Sequence, residues 1–200
     1  ILYSRDILER NPGAKIVFDV KCSSLLPKDI SEHGGEPIMS RTGHSFIKAK
    51  LKETGAALGG EMSGHIFFKE RWYGFDDALY AGARLLEILS KTDKTCAEVF
   101  ADLPDSINTP EINIHFDEQG DQFSAMDKLA ENVSFEGAKI TTIDGVRVDY
   151  PNGWGLVRPS NTTPCLVLRF EADNQKTLEE IQEKFRTWLE ANDISTKDFW

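Results

Sequence analysis

The chain has 200 residues, with 33 acidic side chains against 23 basic ones and a formal charge of -10. That length fits one large domain or two small ones. The acidic balance excludes a general nucleic-acid binder, because phosphate backbones select basic surfaces, yet it leaves room for a small anion in a locally basic pocket.

No apolar run is long enough to span a bilayer as a helix. Cys22, Cys96 and Cys165 are far apart and lack both metal-ligand spacing and a disulfide framework. They read as buried or half-buried thiols in a reducing compartment, taken as cytoplasmic.

The first ten residues read as a helix with apolar Ile1, Leu2, Ile7 and Leu8 and no capping residue ahead of it. The expectation is a chain cut from something longer, with an apolar patch left near this helix. Asn11-Pro12-Gly13 stops the helix. Lys15–Val20 then suits a buried strand, and Ser23 or Ser24 can cap a short helix carrying Leu25, Leu26 and Ile30. Gly34-Gly35 ends it, and Pro37–Ser40 reads as a second strand. Strand, helix, strand at this spacing is a βαβ unit, so these two strands should be parallel.

A helix follows Thr42-Gly43-His44, with Phe46, Ile47 and Leu51 on one face. Ala56–Glu61 and Ile66–Phe68 look like short strands around a tight Ser63-Gly64 turn. Asp76 or Asp77 can cap an amphipathic helix whose apolar face holds Leu79, Leu85, Leu86 and Leu89. Thr95 and Glu98 have the spacing of a capping box.

Leu103–Pro110 is rich in turn formers and lacks periodicity, which places a domain boundary there, with domains at 1–107 and 108–200. Beyond it, Glu111–Phe116 alternates as a strand and Phe123–Asn132 reads as a helix. Strands follow at Lys139–Ile143, Val146–Tyr150, Gly155–Val157 and Cys165–Phe170. A long closing helix carries Leu178, Ile181, Phe185, Trp188 and Leu189. Helices flanking adjacent strands imply an α+β domain with an antiparallel sheet.

Three loops hold polar residues that a core does not need. In Gly60–His65, two glycines bracket Glu61, Ser63 and His65 around Met62. Glycine permits close backbone approach, and the carboxylate, hydroxyl and imidazole form a polyol-binding set; the alternative is a hairpin turn whose polar residues face water. In Arg158–Pro164, the always-charged fork of Arg158 matches a phosphate, and Ser160, Asn161, Thr162 and Thr163 add donors. Pro159 and Pro164 stiffen that loop; the alternative is a surface ion pair for Arg158. His44 stands near a helix N-terminus, a place that favours anions, and otherwise caps or packs. Lys21 follows directly on the Lys15–Val20 strand, where ligand crevices form in α/β sheets.

Together these loops resemble those of the α-D-phosphohexomutase superfamily. Gly60–His65 is similar to its sugar-binding loop, and Arg158–Pro164 to its Arg-x-Ser-Asn-Thr-x-Pro phosphate-binding loop. The likeness extends through Phe18–Cys22, Phe67–Trp72 and Asp144–Tyr150, and Met62 and His65 look most like the bacterial phosphomannomutase/phosphoglucomutase branch. The resemblance implies a mixed-sheet α/β/α third domain followed by an α+β C-terminal domain with an antiparallel sheet.

It implies an isomerase of carbohydrate metabolism interconverting hexose 1-phosphate and hexose 6-phosphate through a bisphosphate. Glu61 and Ser63 would bind sugar hydroxyls, with Met62, Gly64 and His65 completing the loop. Arg158, Pro159, Ser160, Asn161 and Thr162 would hold the phosphate that is not being transferred. Lys21 and His44 would line the cleft, where His44 could assist proton transfer. The family's phosphoserine loop and its aspartate-rich magnesium loop have no counterpart in this sequence. The resemblance therefore implies that the first and second domains, the Mg2+ site and turnover lie elsewhere. Glucose 1,6-bisphosphate or mannose 1,6-bisphosphate would be the intermediate, hexose phosphates the ligands, and neither nucleic acid nor membrane a partner. A non-catalytic phosphosugar-binding module is the alternative.

Overall fold

The run Lys15-Ile-Val-Phe-Asp19 forms β1 (Lys15–Asp19), and its alternation decides how the first half of the chain layers. Ile16 and Phe18 project to one side and Val17 to the other, as a pleated strand requires. Ile16 and Phe18 join Ile7, Leu8, Ile30 and Phe68 in one buried cluster. Val17 joins Ile47, Leu51, Ala56 and Phe67 in a second cluster. A strand buried on both faces belongs at the centre of a sheet with helices on each side. The computed structural model describes residues 1–131 and 133–197 and divides them into two units, Ile1–Asp105 and Ser106–Trp200.

In the first unit, α1 (Leu2–Arg10) precedes β1, and α2 (Leu25–Glu32) connects it to β2 (Glu36–Ser40). Then come α3 (His44–Thr54), β3 (Leu58–Gly60), β4 (Ile66–Phe68), α4 (Ala78–Ser90) and α5 (Cys96–Ala101). The sheet order is β2-β1-β3-β4. β1 runs parallel to β2 and to β3, and β4 is antiparallel to β3. This is the expected mixed sheet between helical layers. The Thr95–Glu98 capping box forms as the spacing predicts.

Several local expectations need correction. β3 is shorter than Ala56–Glu61, because Glu61 turns away to open the Gly60–His65 loop. Ser24 makes no side-chain cap on α2; instead the Ser23 hydroxyl accepts from the Leu25 N–H at 3.1 Å. Phe46 does not share the buried face of Ile47 and Leu51 but lies exposed, with the Arg41 guanidinium 4.5 Å from its ring centre. Cys96 is exposed, whereas Cys22 and Cys165 are buried.

The largest correction concerns α4. Its inward positions are Ala81 and Arg84, while Leu79 is 89% and Leu86 68% exposed. Arg84 lies over Phe68 and pairs with Asp6 at 3.2 Å, Glu70 at 2.9 Å and Glu87 at 3.2 Å. Asp6 also accepts from Arg10 and Lys91, each at 2.8 Å. This cationic surround, Arg10 first, holds the Asp6 carboxyl well below the usual carboxylate range. A buried charge must be compensated, so the ion network sets the rotation of α4 and turns leucines outward. The large exposed apolar side chains of this unit lie on α4, which packs against α1, and at Phe46, Tyr73, Phe75 and Phe100.

The second unit begins with β5 (Ile107–Asn108), a short strand inside the stretch that lacks periodicity. β6 (Ile112–His115), α6 (Asp121–Glu131), β7 (Lys139–Thr141), β8 (Val146–Tyr150), β9 (Gly153–Pro159), β10 (Cys165–Ala172) and α7 (Gln175–Glu190) follow. The end of the expected Phe123–Asn132 helix falls on Asn132, outside the described residues. All pairings in the six-stranded sheet are antiparallel, in the order β5-β10-β9-β8-β7, with β6 also on β10. α6 and α7 cover one face: Met126, Leu129, Leu178, Ile181, Phe185 and Leu189 pack on Val146, Val148, Val157, Leu166, Leu168 and Phe170. Asn174 caps α7 by accepting from the Thr177 N–H at 3.0 Å. β9 is longer than Gly155–Val157 and carries Arg158 and Pro159 in its last positions.

Candidate functional site

In the first unit, the polar loops leave the carboxyl ends of three mutually parallel strands. Lys21 comes two residues after β1 and is 8% exposed. The Thr42–Ser45 segment follows β2 and leads into α3, with His44 as its first residue and Gly43 as its N-cap. Glu61 follows β3. Parallel strands bring segments from three sequence regions to one sheet end, where α/β proteins form ligand crevices.

Asp19, the last residue of β1, ties these segments together and is fully buried. It accepts from the Met62 N–H at 3.3 Å, the Thr42 hydroxyl at 3.4 Å and the Cys22 thiol at 3.0 Å. The Gly60–His65 loop closes on itself, with the Glu61 N–H bonded to the His65 carbonyl at 2.9 Å and the Gly64 N–H to the Glu61 carbonyl at 3.0 Å. Gly64 has φ +94°, a conformation other residues rarely adopt. Ser63 and His65 are exposed and Met62 half-buried.

Glu61 is 7% exposed. One carboxylate oxygen, Oε2, accepts from Ser63 at 3.4 Å, and the other, Oε1, is buried without a partner among the described residues. Burial pushes its pKa up, and the neighbouring Asp19 charge adds to the effect. His65 faces Asp76, Nδ1 to Oδ2, at 2.6 Å, while the other Asp76 oxygen accepts from the Ile66 N–H at 3.2 Å. The His44 ring lies 6.0 Å from that of His65. Sequence reasoning missed Asp19 and the role of Asp76. Asp77 is the residue that caps α4, accepting from Tyr80 N–H at 2.9 Å. Asp19's position at a strand end was the available signal.

In the second unit the polar residues are contiguous. Arg158 is 5% exposed and donates from Nε to Asp144 at 2.9 Å, while its Nη2 is buried without a partner among the described residues. The buried Ser160 hydroxyl accepts from the N–H groups of Thr162 at 3.3 Å and Thr163 at 3.2 Å, which folds the loop over it. Asn161, Thr162 and Thr163 stand exposed above. Fully buried Gln122, on α6, braces the loop from beneath. Its amide nitrogen donates to the Ser160 and Thr163 carbonyls at 3.3 and 3.4 Å, and its oxygen accepts from Gly120 N–H at 2.9 Å. Neither Gln122 nor Asp144 was singled out as a site residue from the sequence.

An α/β/α unit followed by a helix-backed antiparallel sheet defines the class of phosphohexomutase domains. Residues 1–107 match the family description "Phosphoglucomutase/phosphomannomutase, alpha/beta/alpha domain III", and residues 111–187 match its C-terminal domain. The chain belongs to the phosphoglucomutase/phosphomannomutase family. A phosphoglucomutase of Neisseria meningitidis is 60% identical over 96% of this chain and 42% of its own length. A phosphomannomutase/phosphoglucomutase of Pseudomonas putida is 59% identical over 94% of this chain and 41% of its own. The crystal structure of a family protein from Burkholderia thailandensis is 52% identical, with a TM-score of 0.89 over 96% of this chain and 40% of that one. The chain thus spans about 40% of the length of these relatives.

Proposed function

We propose that this chain supplies the recognition chemistry of a phosphohexomutase interconverting hexose 1-phosphate and hexose 6-phosphate through a bisphosphate intermediate. The first unit recognises sugar hydroxyls. Glu61 accepts hydrogen bonds from the hydroxyls, Ser63 and His65 add exposed polar groups, and Met62 and Gly64 shape the loop. Lys21 and His44 belong to the same sheet end, where His44 can take part in proton transfer. The second unit holds the phosphate not being transferred through Arg158, Pro159, Ser160, Asn161 and Thr162. Positioning and electrostatics dominate phosphoryl transfer, so holding the substrate is itself a large share of the work.

The observation that carries this reading is the unpartnered, buried Nη2 of Arg158. A buried guanidinium donor without an acceptor is costly, and an oxyanion supplies that acceptor. Among the described residues no group of three or more His, Cys, Asp or Glu side chains could hold a metal ion. In the whole reaction the metal, the phosphoserine and the other two domains belong to the rest of the enzyme. Because the chain spans about 40% of its relatives, a phosphosugar-binding module without turnover is the second reading.

Calorimetry with glucose 1-phosphate and mannose 1-phosphate tests the binding. Both should bind, Arg158→Ala should abolish binding, and Glu61→Ala should weaken it. Unchanged binding in both variants overturns the reading. A coupled assay with magnesium and glucose 1,6-bisphosphate should show no glucose 6-phosphate from this chain alone. Turnover lost on Arg158→Ala would place the phosphoryl-transfer machinery within it.

A further inference from the structure

We propose that Asp144 is a positioning residue, which holds the Arg158 guanidinium by its Nε so that the Nη edge is presented to a phosphoryl group. The proposal rests on the phosphate reading given above. Asp144 lies in the turn between β7 and β8. It accepts from Arg158 Nε at 2.9 Å, and the two side chains are only 3% and 6% exposed. The next residue, Gly145, presses this turn onto the strand that carries Arg158. It has φ +76°, and a Cβ there would lie 2.2 Å from the Val157 carbonyl oxygen and 2.5 Å from the Arg158 Cα. Only a glycine lets the backbone approach so closely. β8 continues from the turn with Val146 paired to Val157, so the register that builds the sheet also sets Asp144 beside Arg158.

An unanchored arginine loses rotamer freedom on binding an anion, which weakens the complex. A guanidinium fixed in advance avoids that loss. The choice of Nε as the anchor matters, because it leaves the Nη nitrogens for the fork-like geometry that suits phosphate. Nη2 is buried and has no partner among the described residues. Asp144 also neutralises the buried charge, so its benefit to an anion must come from orientation, since its own charge repels phosphate.

That opposition gives the test. Glucose 1-phosphate binding is measured by calorimetry on the whole chain and on Asp144→Ala, Asp144→Asn and Arg158→Ala. Asparagine keeps an acceptor oxygen in place of the carboxylate. Asp144→Ala should weaken binding at least about tenfold, whereas Asp144→Asn should keep it within about threefold of the parent chain or tighten it. A nitrogen-15 spectrum should show the Arg158 Nε–H signal protected from exchange in the parent chain and in Asp144→Asn, and lost in Asp144→Ala. If Asp144→Ala does not fold, the parent chain and Asp144→Asn still decide the matter: an unprotected Nε–H, or binding lost in Asp144→Asn, overturns orientation. Binding lost in Arg158→Ala but unchanged in Asp144→Ala overturns only this proposal. No binding by the parent chain, or equal binding by Arg158→Ala, overturns the phosphate reading and this proposal with it.

Discussion

The two units build their candidate recognition surfaces in opposite ways. In the first, residues from three sequence regions meet because parallel strands end together, and buried Asp19 binds their loops with side-chain acceptors. In the second, one contiguous loop between antiparallel β9 and β10 carries the donors, and its support comes from below through Gln122 and Asp144. The first arrangement gathers loops from three strand ends, whereas the second braces a single loop from beneath. The supports differ as well. The first unit adds a buried ionic network around Asp6 and Arg84 to its apolar clusters, and the second rests on a helix-covered apolar face.

The largest expected effect strikes the ionic support. Asp6→Ala leaves Arg84 short of a buried partner and should destabilise the first unit by about 3–5 kcal/mol, the range for breaking a buried pair. The Asp6 carboxyl titrates below its ordinary value, so its stabilisation is present above the usual carboxylate range and is lost as pH falls through its lowered value. Hydrogen exchange on an acid series should show protection falling around α1 and α4 before the second-unit strands. The reverse order would break the comparison.

Asp19→Ala should come next, costing about 2 kcal/mol for its buried acceptors and disordering the loops that carry Thr42 and Met62. Chemical shifts should move at Thr42, Cys22 and Met62 and stay still at Ser160–Thr163. Gln122→Ala should cost about 1 kcal/mol and reach only the Ser160–Thr163 loop, so the paired spectra sharpen the contrast between loops gathered from several strand ends and a single braced loop.

The smallest effect has the opposite sign. Glu61 titrates above its ordinary value because its burial disfavours the charged form. Its cost is absent below the usual carboxylate range and complete above the raised value. Glu61→Gln should therefore raise Tm at neutral pH and leave it unchanged at pH 4. Thermal melts at the two pH values check this, with weaker sugar binding as the accompanying loss.

How much could be read in advance follows the same division. Arg158–Pro164 and Gly60–His65 were legible because each is a short continuous motif. The parallel β1–β2 pair was legible from its strand-helix-strand spacing. Asp19, Asp76, Gln122 and Asp144 were not legible as supports, because each acts on a group brought near by the fold. Gln122 lies 38 residues from Ser160, and Asp19 43 from Met62. The rotation of α4 was misread for the same reason. Its leucine spacing predicts an apolar face inward, but Arg84 takes the inner position because Asp6, 78 residues away, requires it. β5 escaped notice because two residues carry no periodicity.

Leu79 and Leu86 on the outward face of α4 have a consequence for the chain in solution. With these side chains 89% and 68% exposed, repulsion between copies rests on the charge of -10. That repulsion vanishes near the isoelectric point of about 4.9 and shrinks as salt shortens its range. Colloidal stability is therefore greatest in dilute, mildly alkaline buffer, and acid or concentrated salt lets the leucine face find another surface.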